Sequence, residues 1–304
     1  MRALVVAWLL LFASQDRPAS RDTVSNDWCR VEFHAADRAR ALEFLTATRP
    51  ARARIQERLG LEIAGPVRVI AVRDQDEMRS ELMALTGQEP PDWAGGLALD
   101  GRDIVLVRTD LPGDPFDRVD AIITHELTHV AISQAVAKSG KPVPRWFEEG
   151  IAQWMAGRAR PLDVPDLRPG ATFGWLLRLS EMNAAFSRGE GAASRAYAQA
   201  ESFVRFLGRR GSATVKGVLG AVLDGLDLDS AIRATTGSGL ETTWVAWQVE
   251  LASDRTWMVT TGIEIAIAVL ILVAVALGVG RILRRKRTIE AKWQAEGAEV
   301  EDVE

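Results

Sequence analysis

The chain has 304 residues, is 47% hydrophobic and 26% charged, and carries a formal net charge of −4. That length can bury a sizeable core, and the mildly acidic balance gives no basic surface to suggest nucleic-acid binding. One cysteine, Cys29, excludes both an intramolecular disulfide and a cysteine-held metal, and reads as an inert single thiol.

At the N-terminus Arg2 precedes an apolar run from Ala3 to Ala13. The run is too short for a bilayer span of roughly 20 residues. It suits a signal-peptide core with small residues, Ala13 and Ser14, at its end, so residues 1–14 are expected to be a signal peptide. Residues 15–27 are polar and predict a flexible start. Between Ala36 and Leu59 apolar residues recur at helical spacing, with Pro50 interrupting. This predicts two helices or one kinked helix. Pro66–Val72 is rich in β-branched residues and predicts a strand, and Asp74 is placed to cap a helix running to about Leu85.

Trp93–Leu99 and Ile104–Val107 read as two strands, with Asp100-Gly101-Arg102-Asp103 as the hairpin turn. Asp114 as N-cap and Pro115 at the first helical position open a long helix to about Lys138, stopping at Gly140. From Pro144 onward the pattern is helical, with breaks near Gly157–Gly170 and Gly189–Gly191. The fold class is therefore α+β. A small mixed α/β part with an edge-strand hairpin (residues 28–114) precedes a helical part (residues 115–255).

Trp257–Gly280 is a second apolar stretch, with no charge from Ile265 to Gly280. Residues 258–280 are long enough to cross a membrane. Trp257 is placed as an interfacial anchor, and Arg281, Arg284, Arg285, Lys286 and Arg287 follow at once. Such a cluster stays cytoplasmic. With the N-terminal signal this predicts a single-pass type I protein of the cell membrane. Its main domain lies outside the cytoplasm, and residues 281–304 form a cytoplasmic tail.

Two of the three histidines fall in His125-Glu126-Leu127-Thr128-His129. An i, i+4 pair shares one helix face, so both imidazoles can reach one ion. Glu126, one step around, is placed to hold a water bound to that ion and act as general base. A catalytic zinc ion usually takes three protein ligands and keeps a fourth position for water. A helix starting near Pro144 and carrying Glu148 and Glu149 can lay a carboxylate against the first helix.

HELTH followed by Trp146-Phe147-Glu148-Glu149-Gly150-Ile151-Ala152 resembles the gluzincin zinc metallopeptidases of clan MA, the group of thermolysin and aminopeptidase N. The layout is similar to small bacterial peptidase-MA-like domains. The resemblance implies a thermolysin-like zincin core, one catalytic Zn2+ and hydrolysis of a peptide or protein substrate. It makes Glu149, twenty residues past His129, the expected third ligand in preference to Glu148. It also implies that the strand Ala94–Leu99 binds substrate in extended form. Relatives stabilise the oxyanion with a downstream His or Tyr. No His follows His129, which leaves Tyr197, the one tyrosine of the chain, as the expected donor. Gln153, one turn after Glu149, is a candidate partner for a ligand. Aminopeptidases of the group carry an acid in the strand motif G-x-M-E-N, whereas residues 93–99 here carry none. That departure favours an endopeptidase. The competing reading is an inactive gluzincin-like domain serving as an extracytoplasmic binding module, against which the presence of Glu126 weighs.

Overall fold

The computed structural model describes residues 21–92, 94–111, 119–157 and 167–301. The expected signal peptide, the Asp114–Pro115 helix start and the strand position Trp93 lie outside the described residues. So do residues 158–166, within the expected break after Gly157.

The first elements are two antiparallel strands, β1 (Asp22–Ser25) and β2 (Cys29–Phe33). The expected flexible start is thus corrected over Asp22–Ser25. Its side chains are mostly exposed, because β1 is an edge strand whose pairing is backbone-driven. Helix α1 (Arg38–Leu59) then runs unbroken through Pro50. Thr46 and Pro50 are both exposed, so water can satisfy the carbonyl that loses its partner four residues before the proline. Strand β3 (Val67–Val72) pairs in parallel with β2. In α2 (Gln75–Thr86) Asp74 caps as its sequence suggests, accepting from the Glu77 N–H at 2.9 Å.

Strands β4 (Gly96–Leu99) and β5 (Ile104–Arg108) form the expected hairpin, with Leu99 opposite Ile104. Gly101 and Asp103 take positive φ in its turn. Strand β5 pairs in parallel with β3, so the five-stranded order is β1-β2-β3-β5-β4. Strand β4 is the second edge. The sheet is two-sided. Alternate residues Val67, Val69, Ala71, Val105 and Val107 pack into the main core with α1. Ile70, Val72, Ile104 and Leu106 face Met78 and Leu82 of α2 in a smaller core. Burial of Cys29 in the main core pushes its thiol up to about 12, in keeping with an inert residue.

The later elements among the described residues are helices: α3 (Val119–Ser139), α4 (Arg145–Ala156), α5 (Leu167–Phe173), α6 (Met182–Ala185), α7 (Glu190–Gly208), α8 (Ser212–Leu223), α9 (Leu228–Thr236), α10 (Leu240–Ser253) and α11 (Thr256–Glu301). Helix α3 carries buried apolar residues before, within and after its polar His125–His129 motif. Ile122, Ile123, Leu127, Val130 and Ile132 place it at the centre of the main core, which runs continuously from the sheet into the helical half. Helix α4 packs on α3, and α7 packs on α4. Among the described residues one helical stretch, Leu240–Lys286, is long and apolar enough to cross a membrane. Its most apolar part buries nothing against the domain.

Candidate metal centre

Helix α3 presents His125 and His129 half-buried on one face, one turn apart. Thr124 and Thr128, the residue before each histidine, are both buried. Thr124 donates to the Asp120 carbonyl and Thr128 to the Thr124 carbonyl, so both hydroxyls are engaged within the helix. Helix α4 begins where Asn183 of α6 accepts from the Trp146 N–H at 3.0 Å. One turn later α4 brings Glu148 and Glu149 against α3.

The atoms converge. His125 Nε2 and His129 Nε2 are 3.2 Å apart. Glu149 Oε2 lies 3.4 Å from His129 Nε2 and 3.7 Å from His125 Nε2. The ligand atoms of all three residues fall within 4.8 Å of one another. Glu149 Oε2 is buried, and among the described residues it accepts no hydrogen bond. A buried carboxylate oxygen facing two imidazole nitrogens is costly unless a cation joins them. This donor set, two imidazoles and one carboxylate, fits zinc.

Burial works against charging His129, but Glu149 and Glu148 outweigh it and hold the imidazole well above its ordinary pKa. A proton and a metal ion therefore compete for Nε2. Burial likewise opposes ionisation of Glu149, but His129, His125 and Arg145 hold it below the usual carboxylate value.

Glu148, the alternative to Glu149 in the sequence, does something different. Its Oε1 sits 2.8 Å from His129 Nδ1, on the far side of the ring from the cluster. That contact directs Nε2 of His129 toward His125 and Glu149. Sequence reasoning looked for this orienting role in Gln153, which is half-buried and does not line the cleft, and missed it in Glu148. The signal was the pair of adjacent carboxylates, only one of which can enter the cluster.

Glu126 is buried at the foot of β4. A Cβ on Gly96 would come within 2.7 Å of Glu126 Oε1, so only glycine lets the edge strand lie this close. Gly150 has the same role one layer deeper. A Cβ there would meet the Ala200 carbonyl of α7 at 2.6 Å. That close approach of α7 to α4 delivers Tyr197. The Tyr197 ring packs edge-on against Phe186 at 4.8 Å. Burial and then the charge of Glu149 raise the pKa of its hydroxyl, which keeps it protonated as a donor.

All five expected residues line one cleft of about 1100 Å³. The whole of β4 forms part of its wall, and Arg145, Phe186, Ser187 and Gly189 also line it. The sequence matches the family model described as the Peptidase MA superfamily over residues 46–251. No curated protein matches the chain.

Proposed function

The chain belongs to the peptidase MA superfamily, and on that premise we propose that it is a membrane-anchored zinc metallopeptidase cleaving a peptide or protein substrate. The observation that carries the reading is the convergence of His125, His129 and Glu149 beside the buried Glu126. His125, His129 and Glu149 would hold one zinc ion, with Glu148 orienting His129. When bound, the ion supplies Lewis acidity toward a water and the scissile carbonyl.

The chain's own groups do the rest. Glu126 takes the proton of the attacking water and returns it to the leaving amine. Tyr197 donates a hydrogen bond to the oxygen on which charge develops. The free edge of β4 pairs with the substrate backbone in extended form. Residues 94–99 offer no carboxylate for a free amino terminus, which favours cleavage within a chain over removal of a terminal residue.

Helix α11 is read as the membrane anchor. Its exposed apolar stretch ends at Arg281, Arg284, Arg285 and Lys286, which keep that end cytoplasmic and the catalytic domain outside. With a signal peptide at residues 1–14 this gives a type I topology. The residues 28–114 and 115–255 then form the two halves of one extracytoplasmic peptidase domain.

The test is Glu126→Gln in the purified full chain, assayed on a quenched-fluorescence peptide library beside zinc analysis. The variant should keep its zinc and lose about 10²–10⁴-fold in rate. A variant that keeps both zinc and the parent rate would overturn the proposal. A reporter fused after Glu304 should be active only in the cytoplasm.

A further inference from the structure

Phe173 and Trp175 stand on the surface with 53% and 71% of their area exposed. Scattered exposed apolar residues are ordinary, but two large rings side by side form a patch that calls for a partner. Their corner is built. Gly174 between them takes a φ of 76°, the left-handed region that favours glycine. The Trp175 N–H donates to the Gly170 carbonyl at 2.8 Å. Buried Gln199 of α7 then clamps Leu177, accepting from its N–H at 2.8 Å and donating to its carbonyl at 3.1 Å. The rings are held 5.1 Å apart and do not fold inward.

The place of this corner decides what covers it. The Phe173 ring lies 6.1 Å from that of Trp257, in the first turn of α11. Arg168 of α5 donates to Asp254 at 3.2 Å and to Thr256 at 2.7 Å, across the break between α10 and α11. So α5 is tied to the point where the domain gives way to the apolar helix. Trp257, the interfacial anchor expected from the sequence, is instead buried. Among the described residues, the exposed aromatics beside it are Phe173 and Trp175. Aromatic rings, and tryptophan most of all, favour the boundary between headgroups and acyl chains.

We propose that Phe173 and Trp175 form an interfacial foot, inserted into the outer face of a phospholipid bilayer beside the entry point of α11. The inference rests on the reading of α11 as a membrane span. A single tether leaves a domain free to swing, and a second contact fixes its tilt. The attitude is passed to the metal centre. Trp244 of α10 packs against Trp146 of α4 at 5.6 Å and Phe203 of α7 at 4.9 Å. Helix α4 carries Glu148 and Glu149. The foot's helix α5 packs on α10, and α10 reaches the ligand helix, so insertion of the foot would set the orientation of the cleft to the membrane.

The experiment reconstitutes the full chain in phosphatidylcholine vesicles with a spin label at Trp175→Cys, at Thr242→Cys on exposed α10, or at Leu270→Cys within α11. Collision rates with oxygen, which enters lipid, and with a water-soluble nickel chelate are compared. The oxygen-to-nickel ratio at 175 should exceed that at 242 several-fold, with 270 highest. If 175 matches 242 while 270 reads as lipid, the foot is wrong and the anchor stands. If 270 reads as water, both fall. A label-free measurement guards against damage by the label. In bilayers brominated high on the acyl chains, the parent should lose more fluorescence than Trp175→Phe, and equal quenching would overturn the foot.

Discussion

The His34–Glu77 cluster and the His125–His129–Glu149 cluster are built from the same residue types and end in different states. Around Glu77 every charge is matched. Oε1 accepts from Arg21 and His34, and Oε2 accepts from the Arg73 N–H at 2.8 Å and Nε at 3.1 Å. Arg21 also pairs with Glu81 at 2.9 Å. Burial pushes the Glu77 carboxyl up, but these donors outweigh it and bring it to about 2. In the α3–α4 cluster, by contrast, two imidazole nitrogens and the buried Glu149 Oε2 point at one spot. A cluster whose groups satisfy one another ties elements together. A cluster whose donor atoms converge asks for an ion.

The largest expected effect separates the two histidines. His129→Ala should lose zinc and all hydrolysis, whereas His34→Ala should keep both and show only a lower unfolding temperature. Metal analysis and a peptide assay on the two variants check this, and zinc loss in His34→Ala would break the comparison. Next comes Tyr197→Phe, which should lower kcat about 10²–10³-fold while zinc content stays at the parent level. An unchanged kcat would return Tyr197 to a packing role against Phe186.

How far these residues could be read from the sequence varies with the distance over which each role is defined. HELTH, the Asp74 cap and the Asp100–Asp103 turn are local patterns, and each stands where its spacing put it. The fold class was legible for the same reason, since the period of apolar residues changes from strand to helix along the chain. Strand β1 was not, because a short, mostly exposed polar edge strand has no apolar alternation and exists through its partner β2. The continuity of α1 through Pro50 depends on which side faces water. The role of Glu148 depends on α4's rotation against α3, which no spacing in sequence specifies. Trp257 was read as an interfacial anchor because the apolar stretch alone cannot show that the Phe173 ring of α5 packs beside it.

A smaller effect sharpens the contrast within the site. Glu148→Gln should weaken zinc binding about 10–100-fold without abolishing it, since it removes an orienting carboxylate. Competition with a fluorescent chelator measures this, and complete loss of zinc would make Glu148 a ligand.

The smallest effect lies in the matched cluster and has a pH signature. A folded carboxyl pKa depressed to about 2 contributes stability above the ordinary value of 4.5, and that contribution is lost as pH falls from there toward 2. After allowance for solvent screening, Glu77→Gln should cost about 1 kcal/mol at pH 7. The gap to the parent should close on acidification through that window. Unfolding followed by tryptophan emission at a series of pH values checks it, with zinc content unchanged throughout.

The central claim is that Glu149 completes a three-ligand zinc site with His125 and His129. Elemental analysis of the purified full chain and of Glu149→Ala and Glu148→Ala, each equilibrated with limiting zinc, tests it most directly. The expected result is one zinc per parent chain, almost none in Glu149→Ala, and a weakened but measurable share in Glu148→Ala. Full occupancy in Glu149→Ala, with loss in Glu148→Ala, would contradict it.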